Sequence, residues 1–427
     1  MSGSDAAGGP ATQQGTAGPA PSPASLVLAL ALLLGLQPVS TDLYLPALPA
    51  LAAEFSGAVA LSQLTLSALL LAFGFGQLLL GPVSDRFGRR PVLLGGLALY
   101  VLATLASTLV PRLEGLILCR ALQGVGLAAA VVCGRALLRD LHSPREGAAL
   151  MSKGMSGLGM IALASPAVGG LLASLGGWRA ALAATGVFAA VTLGLVAWRL
   201  PETLRQRNPR ALVPAEVVRT WLRILCHPTF RAWTLLTSFT YGGLYTFLAC
   251  GPFVYIEVLG TSRAGYGLFL AGSSLAYLSG TFLGRRLLRL HGLRGAVGRA
   301  AGLTLSGGLL LAGLSLAGIV GPWAIALPHT LFMLGHGVHQ PCAQAAAVGP
   351  FPAHAGAASA LSGFITAALA FLLGLWFGRV IGDTVYPLTL TQGLLAVLTA
   401  LVAWTLVQQH GEAPPAPSTA PSAPGRA

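Results

Sequence analysis

Long charge-free runs of apolar residues alternate with short polar knots along the chain. The most informative knot is Gly81–Leu94, GPVSDRFGRRPVLL, with one acid (Asp85) and three bases (Arg86, Arg89, Arg90). Leu61–Leu80 before it and Pro91–Val110 after it hold no charged residue. About 20 apolar residues cross a bilayer as a helix. Twelve such segments follow one another, near 25–46, 61–81, 91–110, 115–138, 148–173, 179–199, 232–257, 264–284, 297–318, 322–346, 357–380 and 386–408. The runs are continuous rather than alternating, which predicts helices and disfavours a transmembrane barrel.

The one long connection, 200–231, is rich in Arg and splits the segments six and six. The expected fold is therefore an all-α membrane protein, twelve transmembrane helices in two pseudo-symmetric six-helix bundles, 25–199 and 232–408. Residues 1–24 and 409–427, rich in Gly, Ala, Pro and Ser, read as disordered tails. The halves echo each other: GPVSDRFGRR follows the second segment, and GTFLGRRLLRLHG, from Gly280, follows the eighth. Repeated halves are how many secondary transporters build alternating access around a midplane site.

Composition agrees. Apolar residues make up 55% of the chain and charged residues 9%, against about 25% charged in a soluble domain. The net charge of +13 comes from Arg in the connections and carries no nucleic-acid signal. Even-numbered connections outweigh odd-numbered ones in Arg by about four to one, which puts them, the long linker and both termini in the cytoplasm. Five scattered cysteines (Cys119, Cys133, Cys226, Cys250, Cys342) form no metal or disulfide spacing. No phosphate loop, nucleophile elbow or HExxH motif is present. An enzyme, a cofactor and a resident metal are therefore not expected.

Asp42 is the one acid placed well inside a segment. A carboxylate within a bilayer is costly unless paired or wetted, and its protonation follows its surroundings. Arg120, entering from the same side on the fourth segment, lies at a matching depth. The two are expected to form an ion pair facing a cavity, with Asp42 as the group that takes up and releases the proton. The Gly81–Arg90 hairpin (Gly81, Asp85, Arg86, Gly88, Arg89, Arg90) reads as a cytoplasmic latch between the halves. In it Gly81 allows close helix approach, Asp85 meets the start of the eleventh helix, and Arg89 pairs with Asp140. Pro166 removes a backbone hydrogen bond and Gly169 and Gly170 thin the fifth helix, as a rocking element needs. His329, Met333, His336 and Gln340 share one stripe of the tenth helix, with His339 beside it; packing histidines are the plainer reading. Tyr44, Gln123, Tyr241, Tyr245, His336 and Gln340 are the candidate cavity residues.

The hairpin resembles the signature G-x-x-x-D-R-x-G-R-[RK] of the major facilitator superfamily. Arg120-Ala-Leu-Gln123-Gly124-Val-Gly126 and Ser165-Pro166-Ala-Val-Gly169-Gly170 are similar to its helix-four and antiporter helix-five motifs. Ser40–Pro46, Arg135–Asp140, Gly177–Arg179, Pro201–Leu204 and Ala358–Leu361 resemble the bicyclomycin-resistance (Bcr/CflA) drug:proton antiporters. The resemblance covers about residues 25–408. It implies a monomeric carrier of the bacterial inner membrane that exchanges a small drug-like substrate for protons, with a coupling role for Arg120. A metabolite exporter, a symporter or a non-transporting sensor of the same fold are the alternatives left open.

Overall fold

The computed structural model describes residues 23–56, 59–142, 144–204 and 207–411. Most of both expected tails lies outside the described residues. Among the described residues twelve long helices are present: α1 (Pro23–Asp42), α2 (Val59–Phe87), α3 (Arg89–Leu109), α4 (Leu113–Leu141), α5 (144–176), α6 (178–199), α7 (Pro228–Pro252), α8 (263–291), α9 (293–316), α10 (Pro322–Val348), α11 (Ala355–Val380) and α12 (Tyr386–Trp404). The α5–α6 and α8–α9 turns are minimal. Gly177 (φ 66°) and Gly292 (φ 65°) break otherwise continuous helical runs, Pro144–Arg199 and Arg263–Leu316. The left-handed backbone at both points suits glycine.

Local chemistry sets the other ends. Pro stands in the first turn of α7 and α10, where its missing N–H costs nothing. Ser262 caps α8 by accepting from Gly265 N at 3.0 Å. Among the described residues eight stretches are apolar enough to span a membrane by length and composition, and the two kinked runs count among them. Helices α7 and α10 are less apolar because they carry Thr234, Thr237, Ser238, Thr240, His329, His336 and His339, all buried. Their polar groups face protein, which is the condition for tolerating them at membrane depth.

Helix α1 departs from expectation. Its regular turns end at Asp42, followed by a 3-10 turn, Leu45–Ala47, and a short helix, Leu48–Glu54. Asp42 thus sits at a break in the first span, not one turn below its end. The linker also contains a helix, Pro214–Leu225.

Two faces result. The hairpin face carries the α2–α3, α4–α5 and α6–α7 connections, and the far face carries Glu54. The halves share one buried cluster that runs from Leu66, Leu69 and Tyr100 to Tyr245, Phe253 and Phe377. The far face is the tighter one. An added Cβ at Gly170 would lie 2.8 Å from Arg263 O, and one at Gly267 would lie 2.6 Å from Pro166 O, so α5 and α8 touch backbone to backbone. A Cβ at Gly378 of α11 would meet Ala60 of α2 at 3.0 Å. Gln63 Nε2 donates to Ala249 O at 2.7 Å, and Arg263 donates to Ala173 O at 3.2 Å.

Candidate functional site

A cavity lies between the halves, from mid-membrane toward the hairpin face. The first half contributes Gln37 (α1), Leu70, Phe73 and Gln77 (α2) and Arg135 (α4). The second half contributes, among others, Thr237, Tyr241, Gln340, Gln344 and Ser359. Its volume is about 90 Å³. Drug-sized ligands occupy pockets of about 300–1,000 Å³, so the halves must part further before such a guest fits. At the hairpin end Arg135 Nη1 donates to Ser359 Oγ across the halves at 3.2 Å, and Phe75 meets Phe364 with ring centroids 4.7 Å apart.

Of the expected cavity residues, Tyr241 and Gln340 line it. Tyr44, Gln123, Tyr245 and His336 do not; each is buried in packing. Tyr44 lies under Arg120, 4.6 Å from guanidinium carbon to ring centroid, and its hydroxyl meets Thr65 Oγ1 at 2.9 Å. His336 Nδ1 meets Thr240 Oγ1 at 3.0 Å. His329 is held by Ser273 at 3.0 Å and Gln392 at 2.7 Å and stacks on Phe247 at 3.7 Å. Helical spacing placed these side chains on one stripe, but that stripe faces α7, α8 and α12 within the second half.

The expected Asp42–Arg120 ion pair is not formed. Arg120, fully buried, donates to Ser40 O at 2.8 Å, Gln123 Oε1 at 2.8 Å and Thr65 O at 3.3 Å. The acceptor at Ser40 exists because α1 breaks: Tyr44 N turns back to Thr41 O at 3.2 Å, which leaves the preceding carbonyl an orphan of the last turn. Ser40 Oγ also meets Tyr100 OH at 2.5 Å, so this side of α1 faces the interior of the first half. Asp42 is two residues on, about 200° around the helix. It is partly buried, with Thr41 Oγ1 2.7 Å from its Oδ1. On α5, an added Cβ at Gly169 would lie 2.6 Å from Leu43 O, and Pro166 and Gly170 make the α8 contact above.

The hairpin is tied within its own half. Arg89, buried, reaches Asp140 Oδ2 at 3.1 Å, Asp85 at 2.5 Å and Ser84 Oγ at 2.6 Å. Arg90 donates to Leu200 O and Ala197 O, both at 2.9 Å. Arg86 is exposed, over the Phe87 ring. Two expectations fail here. An added Cβ at Gly81 would meet nothing within 4 Å, so Gly81 does not serve close helix approach. Asp85 pairs with Arg89 rather than with the start of α11, because the cation one turn away is already within reach. Glu202 was missed as a partner: its carboxylate accepts from Arg89 N at 3.0 Å and Arg90 N at 3.2 Å, capping α3. Gly88 (φ 114°) makes room for it, since a Cβ there would lie 2.5 Å from Glu202 Oε2. The orphan N–H groups that open any helix are the general signal for such a carboxylate.

Two membrane-embedded halves that meet tightly at one face and enclose a polar cavity toward the other have the build of a small-molecule carrier. A profile of the Major Facilitator Superfamily matches residues 30–375. The chain is 31% identical over 341 residues to Multidrug resistance protein D of Escherichia coli, covering 79% of this chain and 84% of that one. It is 27% identical over 384 residues to a Bicyclomycin resistance protein homolog of Haemophilus influenzae, covering 90% and 96%. Its fold is similar to that of the human organic anion transporter MFSD10, with TM-score 0.68 at 20% identity, covering 90% and 100%. The chain belongs to the major facilitator superfamily and is a multi-pass membrane transporter.

Proposed function

We propose that this transporter is a proton-coupled antiporter of the bicyclomycin-resistance type, exporting small drug-like compounds across the bacterial inner membrane. It works as a monomer, with both termini and the hairpin face in the cytoplasm. The observation that carries the reading is Asp42. It is a carboxyl group at a break in the first span, held by one neighbouring hydroxyl and about 200° around α1 from the Ser40 side that faces the first half. Such a group gains and loses a proton as the halves part and close around it. The multidrug- and bicyclomycin-resistance relatives support the choice of cargo class and direction.

In this scheme protons are the coupling ion and no cofactor takes part. The hairpin, with Asp85, Arg86, Gly88, Arg89, Arg90 and Asp140, keeps the first half rigid as it rocks. Pro166, Gly169 and Gly170 form the moving seam on the far face. Arg120 acts as a positioning residue: it fixes the α1 break that exposes Asp42. Everted vesicles loaded with a pH-sensitive dye test this. Substrate addition releases protons in the wild type, and Asp42→Asn abolishes the release while leaving substrate binding in place. Proton release at the wild-type rate in Asp42→Asn overturns the coupling role.

A further inference from the structure

The linker helix, Pro214–Leu225, carries three distinct stripes. Counting about 100° per residue from Ile224, the first holds Ile224, fully buried, with Val217 and Trp221 half-buried beside it. Ile224 belongs to the cluster of Phe230, Trp233, Phe351 and Ala358 at the base of α7 and α11, and Trp221 packs against it. The second stripe, about 120–160° round, is Val218 and Leu222, apolar yet 49% and 56% exposed. The third, about 220–260° round, is Arg219 and Arg223, both exposed. The helix is thus fastened by one side, and beside that side lies an uncovered apolar strip edged by two cations.

Its level in the molecule is fixed. Only Cys226 and His227 separate Leu225 from Pro228, where α7 begins, so the helix ends within about 10 Å of that start. His227 is extended (ψ 124°) and breaks the helical path, and its ring meets Phe351 at 5.2 Å. The surrounding charge has one sign. Arg231 and, on the α8–α9 connection, Arg285, Arg286 and Arg289 are exposed on the same face. Among the described residues 207–411, Glu216 is the only acid on that face, and Arg219 and Arg223 form no ion pair with a described residue.

We propose that the linker helix docks on the anionic phospholipid headgroups of the leaflet at the hairpin face. Val218 and Leu222 enter the boundary between headgroups and acyl chains, and Arg219 and Arg223 reach up along them to the phosphates. A basic cluster on an amphipathic helix at the end of a span has the charge complementary to such a leaflet. Through Ile224 and Trp221 the docked helix ties the base of α7 and α11 to the lipid surface. None of this depends on the cargo or on proton coupling.

The test uses the full chain with Cys226→Ser, the remaining four cysteines being buried. A nitroxide is attached at Leu222→Cys or, as a reference on another side of the helix, at Glu216→Cys. Each protein is placed in nanodiscs of phosphatidylcholine alone or mixed with phosphatidylglycerol, and spin relaxation by a water-soluble nickel chelate reads exposure. Phosphatidylglycerol is expected to lower the exposure of the Leu222→Cys label at least about twofold, less so at high salt, and to leave the Glu216→Cys label exposed. Arg219→Gln with Arg223→Gln removes the difference between the two lipids. Equal exposure of the Leu222→Cys label in both lipids overturns the proposal, as does a full phosphatidylglycerol effect in the double variant. Equal protection of both labels would mean that something other than a lipid surface covers the helix. Soluble glycerol phosphate added to phosphatidylcholine discs is expected to change nothing; protection by it would make this a site for a free phosphate and overturn the lipid assignment.

Discussion

The Arg120 guanidinium donates to the carbonyl of Ser40 at 2.8 Å, across the gap between α4 and the broken end of α1. This single contact divides the work of two residues that otherwise look like a pair. Arg120 holds the break from inside the first half, and Asp42 lies about 200° around α1 from that contact. Positive charge buried among carbonyls and aromatic faces is tolerated because every direction offers an acceptor: Ser40 O, Thr65 O, Gln123 Oε1 and the Tyr44 ring.

Arg120 is accordingly a stability residue. Arg120→Gln orphans the Ser40 carbonyl and removes several charge-assisted hydrogen bonds, at a cost of about 2–4 kcal/mol. Arg120→Lys keeps the charge but loses the fork that reaches three acceptors at once, so it is expected to recover less than half of that loss. Thermal unfolding of the purified variants in detergent measures both. A melting temperature for Arg120→Gln equal to that of the wild type would contradict this account.

Much of the fold was legible because membrane helices announce themselves. A run of apolar residues without charge has few other folded fates, and the Arg-rich connections punctuate it. Depth along the membrane was legible too, since it follows from residue count. Rotation about the helix axis was not. Asp42 and Arg120 enter at similar depth, but the break after Asp42 and the 200° turn from Ser40 to Asp42 decide who meets whom. Tyr241 and Gln340 of the cavity were legible, but most of its polar wall escaped for a related reason. Gln37, Gln77 and Gln344 interrupt no apolar run and carry no charge to draw attention. Gly81 and Glu202 show the limit of motif reading: one conserves space that nothing here occupies, and the other completes the hairpin from 112 residues away.

The hairpin makes a second prediction by ranking its acids. Asp140 is largely shielded, with 20% of its side chain exposed, whereas Asp85 is 43% exposed. An exposed pair contributes little after solvent screening, about 0–1 kcal/mol. A shielded hydrogen-bonded one contributes about 1–3 kcal/mol. Asp140→Asn is therefore expected to destabilise the first half more than Asp85→Asn. Arg89→Gln combined with Asp140→Asn should cost less than the sum of the two, because both remove the same contact. A double-mutant cycle on melting temperature decides it, and strict additivity would place the stabilisation elsewhere.

The Glu202 cap predicts a local effect of a different kind. Its carboxylate satisfies the first two N–H groups of α3, and Glu202→Ala leaves them to water. Loss of a charged cap costs about 1–2 kcal/mol. Because the freed segment is the hairpin itself, amide hydrogen exchange at Arg89 and Arg90 should rise while exchange at the far end of α3, near Leu109, stays unchanged. Uniform change along the helix would mean that Glu202 acts on global stability alone.

The far face gives the most direct test of motion. The Cβ that Gly378 lacks would stand 3.2 Å from Ala60 Cβ, close to the separation of about 3.5–4.5 Å that a disulfide spans. The halves must separate here if cargo is to leave by the far side. Ala60→Cys with Gly378→Cys, in a background where exposed Cys226 is replaced by Ser, should therefore cross-link readily under oxidation. The link should stop transport and be reversed by a reductant. With the link in place, a cysteine introduced at Ser359 should still react with a maleimide added from the hairpin side, since the cavity opens that way. Full transport through the oxidised pair would show that the two faces do not alternate about this seam.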